Sequence, residues 1–244
     1  MQSKQPTIPG IFGFLGCFGI LVFVPFIHPI AILAMLIAVS VHECAHAWMA
    51  KRLGDDTAEH AGRLTLNPLS HIDPLGALMF LIVGFGWARP VPVDPSSFRH
   101  PKRDNAVVAL AGPASNLILA FLAFIGLALL MPASPQSSME LLSIGDGGSV
   151  TQVFLTHFFA ASLFVNLALM AFNLLPIAPL DGSKIIEPFV PLSLQDAYDA
   201  MLQYGPFILL GLILFESFLP VRILSGWVHG IVDIVLTAFA ALPI

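Results

Sequence analysis

His42-Glu43-Cys44-Ala45-His46 combines residue types and a spacing suited to metal-assisted hydrolysis. On an α-helix, positions four apart are about 400° apart in rotation, so the two imidazoles share one face roughly one turn apart. Two neutral imidazole nitrogens can then bind one zinc ion. The intervening Glu43 can act as general base on a water that the ion activates. A catalytic zinc takes three protein ligands and keeps one position open, so a third ligand must come from elsewhere in the chain. Cys44 points about 100° away from Glu43 around the helix, which suits a small buried apolar role rather than ligation.

The motif lies between two apolar stretches, Ile30–Ser40 and Ala47–Ala50. The chain has 244 residues, 57% hydrophobic and 10% charged, with a mean hydropathy of +0.88. Soluble domains carry about 25% charged residues. This composition excludes an ordinary soluble domain and predicts an all-α polytopic membrane protein whose main surroundings are the lipid bilayer. No nucleic-acid partner is expected. Cys17 and Cys44 both lie in apolar segments and imply no disulfide framework. Lys4 followed by the apolar run 11–27 resembles a signal peptide but lacks a small-x-small cleavage pattern, so a retained membrane segment is expected.

About six transmembrane helices are predicted, at 11–27, 30–50, 105–131, 153–178, 205–219 and 226–242. Lys51, Arg52, Arg63, Arg89, Arg99, Lys102 and Arg103 flank the apolar stretch 75–87 on both sides. Cytoplasmic loops are enriched in Lys and Arg, so both flanks belong in the cytoplasm and 75–87 is re-entrant or peripheral. Gly86 to Asp94 is rich in Pro and Val and suits an extended edge segment or an irregular surface loop. The loop 132–150 has no Lys or Arg and belongs on the opposite face. Alternation then places both termini in the cytoplasm, with Lys4 and Lys184. Gly10, Gly13, Gly16 and Gly19 line one side of the first segment and suit close helix contact. With no repeat and no long hydrophilic insert, residues 1–244 form one membrane domain. Its short loops favour a prokaryotic cell membrane.

Depth selects the third ligand. Lys51 marks the cytoplasmic end of the motif helix, and His46 and His42 lie about 7–14 Å inward from it. Asp181, three residues before Lys184, reaches a similar depth. Asp233 in the last segment competes with it, as does Asp73 beside His71. Asn173-Leu-Leu-Pro-Ile-Ala-Pro-Leu-Asp-Gly182 favours Asp181, because Pro176 and Pro179 break the helix. Broken backbone at membrane depth is tolerated where it lines a wet cavity or is buried in protein. His28, His60, His100, His157 and His229 read as interfacial or internally satisfied.

Three motifs now stand in order: His42-Glu43-x-x-His46, Gly112-Pro-Ala-Ser-Asn116 and Asn173-x-x-Pro-x-x-x-Leu-Asp181-Gly182. Over about 30–190 the chain resembles the site-2 protease family of intramembrane zinc metalloproteases. It is most similar to the compact prokaryotic branch, with Gly62-Arg-Leu-Thr-Leu-Asn-Pro68, His71-Ile-Asp-Pro74 and Gly86-Trp-Ala-Arg-Pro-Val-Pro92 between the first two motifs. It lacks room for the PDZ and CBS domains of better-known members. The resemblance implies one zinc ion bound by His42, His46 and Asp181, with Glu43 activating water. It implies hydrolysis of peptide bonds in or near transmembrane segments of a membrane-protein substrate. It also implies that Asn173 lies beside the substrate backbone and that 86–93 pairs with an unwound substrate strand. Asn116 is a further substrate or oxyanion candidate, although both asparagines also suit interhelical packing, as does Asn166. The alternative is a membrane metal-binding or transport protein without peptidase activity, which would have no need of Glu43.

Overall fold

The computed structural model describes residues 29–83, 86–130 and 149–242. The expected segment 11–27, its glycine stripe and nearly all of the loop 132–150 lie outside these residues. The described helices are α1 (Pro29–Arg52), α2 (Thr57–His60), α3 (Pro74–Val83), α4 (Pro101–Leu130), α5 (Val150–Asn173), α6 (Asp181–Ile186), α7 (Gln195–Phe215) and α8 (Ile223–Ala240). Five of them, α1, α4, α5, α7 and α8, are long and apolar enough to cross a membrane. The protein is thus an all-α polytopic membrane protein.

Several boundaries differ from the hydropathy pattern, for two physical reasons. α4 starts at Pro101 and α7 at Gln195, in polar sequence before the apolar runs. Backbone hydrogen bonding continues past the hydrophobic limit, so hydropathy marks the apolar part of a helix and not its end. α5 stops at Asn173 rather than 178. Pro176 has no N–H to donate and disfavours helical geometry at the residue before it. α3 has ten residues, about 15 Å, half of a bilayer's hydrocarbon core.

α1, α4 and α5 pack against one another, α6 lies on α4, and α8 packs on α5. The buried face of α1 reads Ala34, Ala38, His42, His46, Ala50, one residue every fourth position. The facing stripe of α4 reads Val108, Gly112, Asn116, Ala120. Small residues at this period let helices approach closely, which is the main source of helix association where lipid competes for apolar surface. The polar side chains therefore sit inside a tight seam. Farther along, Ala120, Ala123, Leu163, Leu167, Met170, Ala171, Val232 and Phe239 form the largest apolar cluster among the described residues.

The basic region after α1 is tied back to it. Asp55 is buried; one carboxylate oxygen accepts from Thr57 N (3.0 Å) and the other from Asp94 N (2.8 Å). Phe98 packs between Ala50 and Val108. Asp104 accepts from His100 N (3.0 Å) at the start of α4. The chain leaves α1 through Gly54 at φ +105°, a conformation that side chains with a Cβ rarely adopt. Gly54→Ala is expected to destabilise the fold by about 1–2 kcal/mol, read as a melting temperature a few degrees lower in detergent with zinc content unchanged.

Among the described residues, segment 86–94 forms no strand. It makes one antiparallel bridge, Ile72 with Ala88, and Arg89 N donates to His71 O (2.8 Å). Pro90 and Pro92 lack the N–H groups that would continue a ladder. The buried Arg63 holds the segment instead, its Nη2 donating to the carbonyls of Arg89 and Pro90.

Candidate metal centre

His42 and His46 project from the C-terminal half of α1, and their Nε2 atoms lie 3.0 Å apart. Asp181 Oδ2 is 3.2 Å from each. All three residues are at least nine-tenths buried. Among the described residues they form the one group of three or more His, Cys, Asp or Glu side chains that could hold a metal ion.

Two separate elements deliver the three side chains. After α5 ends, the chain turns through Pro176 and Pro179, with the Ala178–Pro179 bond cis, and re-enters helix at Asp181. Gly182 lets this turn close, since a Cβ there would strike the carbonyl oxygens of Leu174 and Leu175. Tyr198 Oη donates to Ser183 O (3.2 Å), and Ala178 N donates to Met201 Sδ (3.3 Å), which ties the turn to α7.

Hydrogen bonds behind the imidazoles set their orientation. His46 Nδ1 donates to Val108 O (2.8 Å), an atom that can only accept. His42 Nδ1 lies 2.6 Å from Asn116 Oδ1. In these neutral tautomers both Nε2 atoms present lone pairs to each other and to Asp181 Oδ2, which has no hydrogen-bond partner. Three lone-pair atoms converging in a buried site repel unless a cation sits among them. The triangle has edges of 3.0, 3.2 and 3.2 Å. Tetrahedral zinc with bonds of about 2.0–2.1 Å places its ligand atoms about 3.3 Å apart. The residues fit that ion in donor type, number and spacing.

α4 supplies the wall behind the site. Gly112 approaches the ring edges so closely that a Cβ would lie 2.5 Å from His46 Cε1 and 2.6 Å from His42 Cε1. Glu43 is half-buried and lies next to a metal-facing histidine without joining the triangle. A cleft of about 310 Å³ lies among the nearby loops, lined by Arg63, Ser70, Arg89 and Pro90 among others. Burial and then the Arg89 charge push the Arg63 pKa down, and Glu43 partly opposes them.

The other sequence candidates sit elsewhere. Asn173 is half-buried and donates to Leu169 O (3.0 Å) on its own helix. Asn116 is fully buried behind His42 and both ends of its amide are engaged, so no face of it is open to a substrate. Asp73 Oδ1 accepts from Gly76 N (2.8 Å) and starts α3. His71 Nε2 donates to Thr65 O (2.8 Å). Cys44 and Asp233 are half-buried and outside the cluster. Sequence reasoning missed Val108 and the link between Asn116 and Asn166. The four-residue spacing of Val108, Gly112 and Asn116 was the available signal.

Residues 30–212 match peptidase family M50. The chain is 41% identical over 214 residues to "Putative zinc metalloprotease YwhC" of Bacillus subtilis, covering 88% of this chain and 92% of that protein. It is 31% identical over 192 residues to "Putative zinc metalloprotease Rip2" of Mycolicibacterium smegmatis, covering 76% and 66% respectively. It is 30% identical over 178 residues to "Putative zinc metalloprotease MJ0611" of Methanocaldococcus jannaschii, covering 71% and 75%. No solved structure matches it. A buried His-His-Asp triangle beside a glutamate, on helices long and apolar enough to span a bilayer, accords with these matches, and the chain belongs to peptidase family M50, the site-2 protease family of intramembrane zinc metalloproteases.

Proposed function

We propose that His42, His46 and Asp181 hold the enzyme's single zinc ion and that Glu43 is its general base. The observation that carries this reading is the triangle of buried lone-pair atoms directly beside Glu43. Zinc held there would supply Lewis acidity toward a peptide carbonyl and would make water more acidic. Glu43 takes the proton from the attacking water and passes it to the leaving amine. Burial of the ligands keeps bulk water from competing for their lone pairs. Residues 1–244 act as one membrane domain.

The substrate is a membrane protein cut in or near a transmembrane segment. Its helix must open locally, because helical hydrogen bonds shield the scissile carbonyl. The segment 86–93 is the proposed holder of the opened strand, a reading supported by its bridge to Ile72. Asn173, at the end of α5, is the proposed contact to the substrate backbone. Both termini lie in the cytoplasm, a placement supported by Lys51 and Arg52 at the end of α1 and by the basic loops that follow. Bacterial and archaeal relatives support a prokaryotic cell membrane.

Asp181→Ala is the direct test of the ligand set. The purified variant is expected to carry zinc near background by metal analysis and to cut no model membrane substrate. Wild-type zinc content in that variant would remove Asp181 from the site.

A further inference from the structure

A chain of buried amides runs from α5 through α4 to the first histidine, and its direction can be read from one end. Ser162 O is a backbone carbonyl and can only accept, so the side-chain atom of Asn166 2.8 Å from it is the NH₂ group. Asn166 then turns its Oδ1 toward α4, where it accepts from Asn116 Nδ2 at 2.9 Å. Ala38 O, a second pure acceptor, lies 3.4 Å from the same nitrogen. Asn116 is thereby left with Oδ1 facing His42, and it accepts from His42 Nδ1 at 2.6 Å. The proton of the neutral imidazole must sit on Nδ1, and the Nε2 lone pair must face His46 and Asp181.

We infer that Asn116 and Asn166 are positioning residues that hold His42 in its metal-binding tautomer and orientation. The inference rests on the proposed ligand set. It assigns Asn116 a role at the back of the metal site. Asn116 and Asn166 are both 0% exposed. No water can supply a substitute partner, and reversing either amide would set donor against donor or acceptor against carbonyl. An asparagine pair serving only to join α4 to α5 would need no bond to a ligand. Here each amide passes the constraint one helix further. His46 needs no such relay, because Val108 O orients it directly.

The test measures zinc affinity of the full-length protein in detergent by chelator competition, with the cobalt-substituted absorption bands as a report on site geometry. Melting temperature monitors folding. Asn116→Leu conserves volume and removes the acceptor; it is expected to weaken zinc binding about 10–100-fold and to alter the cobalt bands. Asn116→Asp keeps an acceptor for His42 but sets a carboxylate oxygen against Asn166 Oδ1 and Ala38 O, so it is expected to recover only part of the affinity lost in Asn116→Leu. Asn166→Leu, which touches no ligand, is expected to give an intermediate loss. Wild-type affinity and unchanged cobalt bands in Asn116→Leu would overturn the inference. If that variant does not fold, wild-type behaviour of Asn166→Leu overturns it equally. Retention of zinc by Asp181→Ala, measured alongside, would instead sink the ligand assignment beneath it.

Discussion

Glu43→Gln is expected to lower cleavage of a membrane-embedded substrate by about 10²–10⁴-fold while leaving zinc bound. The substitution is nearly isosteric and lies mid-helix, where Gln and Glu have similar propensity, so α1 should keep its geometry. Glu43 is not one of the three converging ligand atoms, and neither imidazole depends on it for a hydrogen bond. The amide lacks the basicity to take a proton from water, and the carboxylate charge goes with it. Two measurements on the same preparation decide the matter: metal content and cleavage of a model transmembrane substrate in vesicles. Retained cleavage would sink the general-base assignment. Lost zinc would show that Glu43 contributes to the metal site itself.

Gly112→Ala should have an effect of similar size through a different route. In an ordinary helix interior this change is stabilising, by about 1 kcal/mol. At this position the added methyl would lie 2.5 Å from His46 Cε1 and 2.6 Å from His42 Cε1, where real carbon contacts stay beyond 3.0 Å. The rings cannot simply swing aside, because Val108 O and Asn116 grip their Nδ1 atoms. Either α4 moves away from α1 or the two Nε2 atoms leave their triangle. Overpacking of this kind costs about 1–3 kcal/mol, and the strain falls on the ligand atoms. The variant is expected to fold, since local helix propensity improves, yet to bind zinc at least about 10²-fold more weakly and to lose cleavage. Circular dichroism, chelator competition and the cleavage assay together test this. Tight zinc binding with normal activity would mean that the wall formed by α4 is more compliant than the close approach of Gly112 implies.

These two substitutions also separate what was readable in the chain from what was not. His42 and His46 could be placed on one face because helix rotation is local and four residues bring the same side round again. Asp181 could be preferred over Asp73 and Asp233 because prolines act on their neighbours, and the Pro176 and Pro179 break marks backbone that must be buried or line a cavity. The basic residues between 51 and 104 excluded 75–87 as a crossing, and α3 is indeed too short to cross. The ends of α4, α5 and α7 were misjudged, because hydropathy reports the solvent around a helix while hydrogen bonding sets its length.

Lateral contact is what local pattern does not carry. His42 and Asn116 are 74 positions apart, and Asn116 and Asn166 another 50. Nothing in either neighbourhood announces that one amide meets His42 and the other meets that amide. Gly112 reads as one more glycine in a membrane helix until α4 is packed against α1, when its missing Cβ becomes the space in which two imidazoles meet an aspartate. A period of 3.6 residues tells a helix which face to bury. Only the packing of α1, α4 and α5 against one another sets which buried atoms meet, and the chemistry of this enzyme rests on that meeting.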